Sequence, residues 1–184
     1  MKTLTQYITE SQHELYHFTN VKDALKICSV DKWIGSYDDG GNPKGFGYFI
    51  STTRQRNALT GYPTGMLGND LVRFVFDTTA MSKFKIIPYN HFRGFKLRAI
   101  KQNWEDQEAF DKYKDEVMLQ TNVEAEDRIL LRKEEIPNVH KYIKEIDLDD
   151  SKTTDAEYEL FKEYCDKYSI TLIMMDHKKF ILGR

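Results

Sequence analysis

The stretch Leu71-Val72-Arg73-Phe74-Val75-Phe76 decides the fold, because it sets β-branched and aromatic residues side by side over the length of one strand. A glycine-rich segment, residues 61–68, precedes it and marks a loop. Strands outnumber helices along the chain and fall in clusters, which favours an α+β fold with a mostly antiparallel sheet over a doubly wound α/β fold. The other predicted strands are residues 14–18, 47–51, 85–88, 123–131, 141–148 and 170–175.

Helices are predicted on the flanks of these strands. Asn20 is a good N-cap for a short helix, and Val21, Ala24 and Cys28 follow it at helical spacing. Thr154 is a suitable cap for a longer helix over residues 155–168. A further helix over residues 104–119, rich in charge, is predicted to be exposed.

The composition is typical of one soluble domain. The chain has 184 residues, of which 40% are apolar and 13% aromatic, more than a disordered chain carries. We divide it into an N-terminal arm at residues 1–13 and a single domain at residues 14–184. Because 27 Lys and Arg residues face 29 Asp and Glu residues, the net charge is −2, and the broad positive field of a nucleic-acid binder is not expected.

Several local features point to an intracellular protein. Cys28 and Cys165 show no metal-ligand spacing and are expected to be reduced core residues. The sequence contains no apolar signal core and no run of transmembrane length, so a cytoplasmic location without membrane contact is expected. The acidic patch of Asp147, Asp149 and Asp150 is interpreted as a solvated face.

Three short polar motifs lie on or beside predicted strands. The first is Tyr16-His17, where a histidine at a strand edge can donate a hydrogen bond to a ribose hydroxyl. The second is the hydroxyl-rich stretch 51–53, which follows a glycine that lets a ligand approach the backbone. In the third, Glu124 and Glu126 are two residues apart on a strand and therefore face the same side, with Arg128 as a candidate partner.

In this order the motifs resemble the ADP-ribosyltransferase superfamily. In that family a first strand carries Arg or His beside an aromatic residue, a second carries a Ser-Thr-Ser-like segment, and a later strand presents Glu-x-Glu or a lone Glu. Here Tyr16-His17, Ser51-Thr52-Thr53 and Glu124-Ala125-Glu126 match these segments. The resemblance covers roughly residues 14–131 and implies a split, mostly antiparallel sheet with flanking helices. A first-strand His belongs to one branch of the family and Ser-Thr-Thr with Glu-x-Glu to another, so the target residue stays open.

The resemblance also implies roles for individual residues, with NAD as substrate and no metal. Glu126 would stabilise the positive charge that develops on the ribose, Glu124 would position or deprotonate the acceptor, and His17 would hold the adenosine-side ribose. Seven further residues would form the rest of the NAD site: they would line the pocket, stack on the nicotinamide, orient Glu126 or contact the pyrophosphate. They are Thr19, Gly47, Tyr48, Ser51, Thr52, Arg54 and Tyr62.

The function implied by the resemblance is mono-ADP-ribosyl transfer from NAD to a macromolecular acceptor, protein in preference to nucleic acid. The style of the opening residues 2–8 also looks like that of tailed-bacteriophage proteins, which suggests a host-takeover or anti-defence factor. One alternative is an inactive virion protein or protein-binding module on the same scaffold. Another is an enzyme similar to RNA 2′-phosphotransferases, in which the basic stretch 91–101 would hold phosphates. The oligomeric state stays open.

Overall fold

A computed structural model describes residues 14–38, 47–53, 56, 71–89, 126–131 and 133–182, and the following structural statements concern these residues. The strands are β1 (Leu15–Asn20), β2 (Lys32–Ile34), β3 (Ser36–Asp38), β4 (Gly47–Thr53), β5 (Leu71–Phe76), β6 (Lys85–Tyr89), β7 (Glu126–Leu131), β8 (Glu135–Pro137), β9 (Ile143–Asp149) and β10 (Thr171–Met175). The α-helices are α1 (Val21–Val30), α2 (Thr78–Met81), α3 (Asp155–Tyr168) and α4 (His177–Leu182), and Val139–Lys141 forms a 3-10 turn.

An eight-stranded sheet organises the chain in the order β10-β9-β5-β1-β4-β7-β6, and β3 pairs with β4 beside this path. Strands β9 and β10 pair in parallel, and the other neighbours pair in antiparallel fashion. A separate two-stranded sheet joins β2 to β8. The α+β class with a mostly antiparallel sheet is therefore confirmed.

Strand β5 lies in the interior of this sheet, as its apolar sequence predicts. It pairs with β1 at six positions and with β9 on its other side. All six of its residues are buried, including Arg73. In a strand covered on both faces, each polar side chain needs a buried partner. Arg73 is the polar residue of β5 to which this applies.

The sheet splits between β1 and β4. Among the described residues these two strands pair at the single position Tyr16↔Thr53, whereas β1 and β5 run together from Leu15↔Phe76 to Asn20↔Leu71. On the far side, β4 pairs with β7 over the full length of β7. The split that the family resemblance implies is thus present, and it falls between the first two polar motifs.

Helices cover both faces of the sheet. Helices α1 and α3 pack on one side, which we call the helix face, where Ala24 and Phe161 are in the same buried cluster as Phe74 of β5. On the other side, the opposite face, Phe180 of α4 packs with Val75. Since successive strand residues point to opposite sides, each strand contributes alternate residues to these two clusters.

The predicted caps are found at both long helices. The side chain of Asn20 accepts a hydrogen bond from the Asp23 backbone nitrogen at 2.8 Å. Thr154 forms a capping box with Glu157 at the start of α3. The predicted arm at 1–13, the helix at 104–119 and the basic stretch 91–101 lie outside the described residues. Of the described helices, none has the length and apolar character to cross a membrane.

The expectation that the acidic patch is a solvated face was wrong for Asp147 and Asp149, whereas Asp150 is exposed. Asp147 is fully buried and Asp149 is 2% exposed. Asp147 pairs with Arg73, while Asp149 accepts hydrogen bonds from Ser151 and lies 2.5 Å from His177 Nδ1. These aspartates lie on the opposite face of β9, and their charged partners, Arg73 and His177, come from other elements of the chain. Cys28 and Cys165 are buried free thiols, as predicted.

Candidate functional site

His17 connects the two parts of the split sheet. Its Nδ1 atom lies 2.6 Å from the carbonyl oxygen of Ser51. The ring packs edge-on against Trp33 with centroids 4.4 Å apart, and Phe74 lies 6.5 Å away. Burial among these rings lowers the pKa of His17 to about 4, so the imidazole is neutral at physiological pH.

The hydrogen bond to Ser51 decides what His17 offers to a ligand. A carbonyl oxygen only accepts, so Nδ1 must carry the proton of the neutral ring. The other nitrogen, Nε2, is then unprotonated and acts as an acceptor. The sequence-based expectation was that His17 donates to a ribose hydroxyl. In this geometry the hydroxyl has to donate to His17 instead.

The strand register sets the second and third motifs side by side on β4 and β7. Ser51 pairs with Arg128 and Thr53 pairs with Glu126. Directly paired residues share a face of the sheet, and Tyr16 pairs with Thr53 from the other side. The positions of Tyr16, Thr53 and Glu126 therefore form one row across three adjacent strands on the opposite face.

The predicted site residues are distributed over both faces of the sheet. His17 alternates with Tyr16 and lies on the helix face with Thr19, whereas Ser51 and the Glu126 position lie on the opposite face. Thr19 is buried, with 6% of its surface exposed. A ligand that touches both groups has to lie at the split between β1 and β4, because the sheet is continuous on either side of it.

The remaining described residues of β4 are packed within the protein. Tyr48 is half-buried, and its ring lies 5.1 Å from that of Tyr37. Thr52 is 2% exposed and lies on the helix face. Arg128, the predicted carboxylate partner, is buried with its guanidinium 3.9 Å from the centre of the Phe49 ring, where a cation–π contact stabilises it.

Part of the predicted site lies outside this description. Glu124, Arg54 and Tyr62 are not among the described residues. Gly47 and Glu126 are placed by their backbones as members of β4 and β7. The roles of all these residues stay predictions. Within the described residues, no group of three or more His, Cys, Asp or Glu side chains is arranged to hold a metal ion.

The aromatic walls around His17 and the buried pair of Arg73 and Asp147 were not predicted from the sequence. Trp33 is 4% exposed and belongs to the short strand β2, which carried no recognisable motif. Arg73 and Asp147 are both fully buried and joined by a 2.6 Å hydrogen bond. The arginine in the middle of an apolar strand could have indicated a buried ion pair, because a buried charge requires a partner.

Comparisons with known proteins give similarity to solved structures alone, since no family model and no curated protein matches the chain. Thermus sp. 2.9 DarT with carba-NAD+ is similar with a TM-score of 0.48 at 12% identity, over 91% of this chain and 97% of that one. The same protein with ADP-ribosylated ssDNA gives 0.45 at 12% identity, over 89% and 94%. Thermosipho africanus DarTG with ADP-ribose gives 0.44 at 14% identity, over 94% of this chain and 52% of that one. At such identities and scores, no residue takes a role from these structures.

Proposed function

We propose that the chain is an NAD-dependent ADP-ribosyltransferase that acts on a macromolecular acceptor. The observation that supports the proposal is the adjacency of β1, β4 and β7. These strands carry His17, Ser51 and Glu126, which are far apart in sequence and belong to the three motifs of the family resemblance. The hydrogen bond between His17 and Ser51 and the pairing of β4 with β7 bring the three motifs to one region of the sheet.

In the proposed complex, NAD lies at the split between β1 and β4. A hydroxyl of the adenosine-side ribose donates to His17 Nε2, while Nδ1 stays bonded to Ser51. Because the imidazole is neutral, it adds no charge near the pyrophosphate. Tyr48 is proposed to stack on the nicotinamide ring, and Arg54 is proposed to contact the pyrophosphate.

The proposed chemistry breaks the bond between nicotinamide and ribose. The nicotinamide nitrogen leaves with the bonding electrons, and positive oxocarbenium character develops on the sugar. The carboxylate of Glu126 stabilises this charge beside the ribose 2′-hydroxyl, which is worth about 10²–10³-fold for one well-placed electrostatic group. The acceptor then bonds to the anomeric carbon and loses a proton, with Glu124 as the proposed base.

The class of the acceptor is proposed no more finely than a macromolecule. The described residues do not favour protein over nucleic acid, so the preference for protein in the sequence analysis has no support from them. The bacteriophage setting rests on the style of residues 2–8 and stays a proposal, as does a cytoplasmic location. The two alternatives, an inactive binding module and an RNA 2′-phosphotransferase-like enzyme, gain no support from the described residues.

Release of nicotinamide from NAD by the purified protein tests the proposal. Wild-type protein should release nicotinamide, and Glu126→Gln, which keeps the shape of the side chain and removes its charge, should lower the rate about 100-fold or more. Glu163→Gln, on the exposed surface of α3, is the matched control and should behave as wild type. If the wild type neither turns over NAD nor is thermally stabilised by it, the proposal is overturned.

The acceptor is then identified with radiolabelled NAD. The protein is incubated with labelled NAD and a cell extract, and the labelled extract is then digested with protease or with nuclease. Single-stranded DNA is included as a defined substrate. Loss of label after one treatment alone assigns the class of the acceptor. A protein that releases nicotinamide but transfers label to neither fraction would be an NAD glycohydrolase, which contradicts the transferase assignment.

A further inference from the structure

A charge cluster of Arg56, Arg73, Glu145 and Asp147 lies on the opposite face of the sheet, at β5 and β9, with Arg73 and Asp147 buried and Arg56 and Glu145 partly exposed. Arg73 Nε donates to Asp147 Oδ2 at 2.6 Å, and both side chains are fully buried. Arg56 Nη2 donates to Glu145 Oε1 and lies 3.3 Å from Asp147 Oδ2. Both arginines therefore converge on one oxygen of Asp147.

The other oxygen of Asp147 has no donor among the described residues. Within that part of the chain, Asp147 Oδ1 is buried and without a hydrogen-bond partner. A buried carboxylate oxygen that lacks a donor loses the hydrogen bonds that water would supply, which is strongly unfavourable. A native structure is expected to satisfy such an atom, so the neighbouring groups have to be considered as donors.

Glu145 is the neighbour that can supply the missing donor. It lies two residues before Asp147 on β9, so both side chains are on the same face. Arg56 binds its Oε1 atom, which leaves Oε2 for another contact. Burial and the adjacent Asp147 raise the pKa of Glu145. A protonated carboxylic acid donates one hydrogen bond while its second oxygen still accepts.

We propose that Glu145 is protonated in the folded protein and donates its proton from Oε2 to Asp147 Oδ1, and that it thereby positions Arg56. In this state Glu145 Oε1 accepts from Arg56, Asp147 Oδ2 accepts from Arg73, and Asp147 Oδ1 accepts from Glu145. The two carboxyl groups share one proton, as closely spaced carboxyl pairs do.

The surrounding charges are compatible with a neutral Glu145. Arg56 Nη1 lies 3.9 Å from Glu14, so Glu14 and Asp147 together balance the two arginines. Glu14 also contacts Lys144, which is 43% exposed and therefore solvated, and it accepts from the Tyr16 hydroxyl at 2.5 Å. Asp149, next on this face of β9, is paired with His177.

The consequence concerns the end of β4. The Arg56 carbonyl oxygen accepts from Arg73 Nη1 at 2.7 Å, so Arg56 is held through its backbone as well as through its side chain. It follows Thr53, the last residue of β4, by three positions. Glu145 therefore acts through Arg56 on the strand that carries Ser51. This consequence for NAD rests on the proposed function, whereas the shared proton does not.

Thermal unfolding as a function of pH tests the shared proton, with Glu145→Gln as the conservative variant. The glutamine amide donates to Asp147 and its oxygen accepts from Arg56, so the variant imitates protonated Glu145 at every pH. A folded-state pKa above the unfolded value gives stability that is complete below the unfolded pKa and lost as pH rises through the folded pKa. The Tm of the wild type should therefore equal that of E145Q below about pH 4, where an unfolded glutamate is protonated, and fall about 2–4 °C below it by pH 8.

The opposite sign would overturn the proposal. If Glu145 is ionised and forms an ordinary ion pair with Arg56, the wild type gains stability over E145Q as pH rises. A flat difference between the two proteins would also contradict it. Glu145→Ala, which cannot donate, should be less stable than both across the range, and Glu163→Gln should follow the wild type.

Carbon-13 NMR of the Glu145 carboxyl group in the wild type provides a test that needs no variant to fold. The resonance should titrate with a midpoint above that of an ordinary glutamate, and a normal or lowered midpoint would contradict the shared proton. In a separate measurement, thermal stabilisation by NAD should be weaker in E145A than in E145Q. If NAD stabilises neither these variants nor the wild type, the proposed function fails while the pH series still decides the shared proton.

Discussion

His17 Nδ1 and the Ser51 carbonyl oxygen are 2.6 Å apart, at the place where β1 and β4 stop pairing. The residue that we expect to contact NAD is therefore also a structural connection between the two parts of the sheet. A substitution that removes the whole imidazole will affect folding and binding together. The roles of its two nitrogens can be separated because each faces a different partner.

His17→Asn and His17→Ala should separate these roles. The asparagine amide can replace Nδ1 as the donor to Ser51, so the free energy of unfolding of H17N should lie within about 1 kcal/mol of the wild-type value. That of H17A should be lower by about 2–3 kcal/mol. Neither variant supplies the Nε2 acceptor, so both should lose thermal stabilisation by NAD. The measurements are chemical denaturation and thermal shift with NAD; retained stabilisation of H17N by NAD would show that His17 does not contact the ligand.

The stability of the wild type should fall on acidification because of His17. Its folded-state pKa of about 4 lies below the ordinary histidine value, so the unfolded chain binds the proton more readily between these values. Neutral His17 makes its full contribution to the free energy of unfolding above about pH 6.5. This contribution is lost as the pH falls towards 4, and the total loss is at most about 3 kcal/mol. Urea denaturation of wild type and H17N over this range measures it, and parallel pH profiles would contradict the assignment.

Arg73 and Asp147 should show strong coupling in a double-mutant cycle. Arg73→Met leaves a buried carboxylate without its closest partner and removes donors to the carbonyl oxygens of Arg56 and Phe180, which should cost about 3–5 kcal/mol. Asp147→Leu should cost a similar amount. The double variant should lose less than the sum of the two by about 2 kcal/mol or more, and an additive result in urea denaturation would contradict a buried ion pair.

Asp31 should tolerate asparagine and not alanine. It has a positive φ of 49° at the end of α1, and its Oδ1 accepts from the His140 backbone nitrogen and from the Tyr164 hydroxyl. Asparagine keeps an acceptor and tolerates this conformation, so D31N should lose about 1 kcal/mol or less. D31A loses both hydrogen bonds and should cost about 3 kcal/mol in urea denaturation. Equal losses would show that the charge facing His140 Nδ1 at 2.6 Å dominates instead.

Ser169→Gly should stabilise the protein. Ser169 ends α3 with φ at 58°, a left-handed conformation that glycine adopts without steric cost. We expect a gain of about 0.5–1 kcal/mol in urea denaturation, since Ser169 is exposed and the left-handed conformation costs an L-residue free energy. Lys152→Gly, in a turn without a positive φ, is the control and should destabilise the protein by a similar amount. If both variants shift stability in the same direction, backbone conformation at Ser169 is not the cause.

Much of the fold could be predicted from local patterns. The apolar stretch Leu71–Phe76 is a fully buried strand, and the caps Asn20 and Thr154 start the helices that they were expected to start. These features depend on residues within a few positions of one another, which is why a single sequence shows them. The arrangement of Tyr16-His17 on the first strand was likewise visible as a motif.

The partners of buried polar groups could not be predicted in the same way. Arg73 lies 74 residues from Asp147 along the chain, and the acidic patch that includes Asp147 was expected to be a solvated face. Burial of a charge depends on the three-dimensional environment of its strand, and composition alone carries no such information. The same holds for Trp33, whose packing against His17 joins a motif to a strand without one.

The sequence by itself determined the longer strands, such as Leu71–Phe76, but not the three-residue strands β2, β3 and β8. It also determined which residues within a strand share a face, because side chains alternate with a period of two along any extended chain. Only the tertiary structure decided that β1 lies between β5 and β4, that it separates from β4 after Tyr16↔Thr53, and that His17 crosses the gap to Ser51. Strand order and register are set by long-range backbone hydrogen bonds and by the burial of whole faces. Both depend on contacts between residues that are distant in sequence.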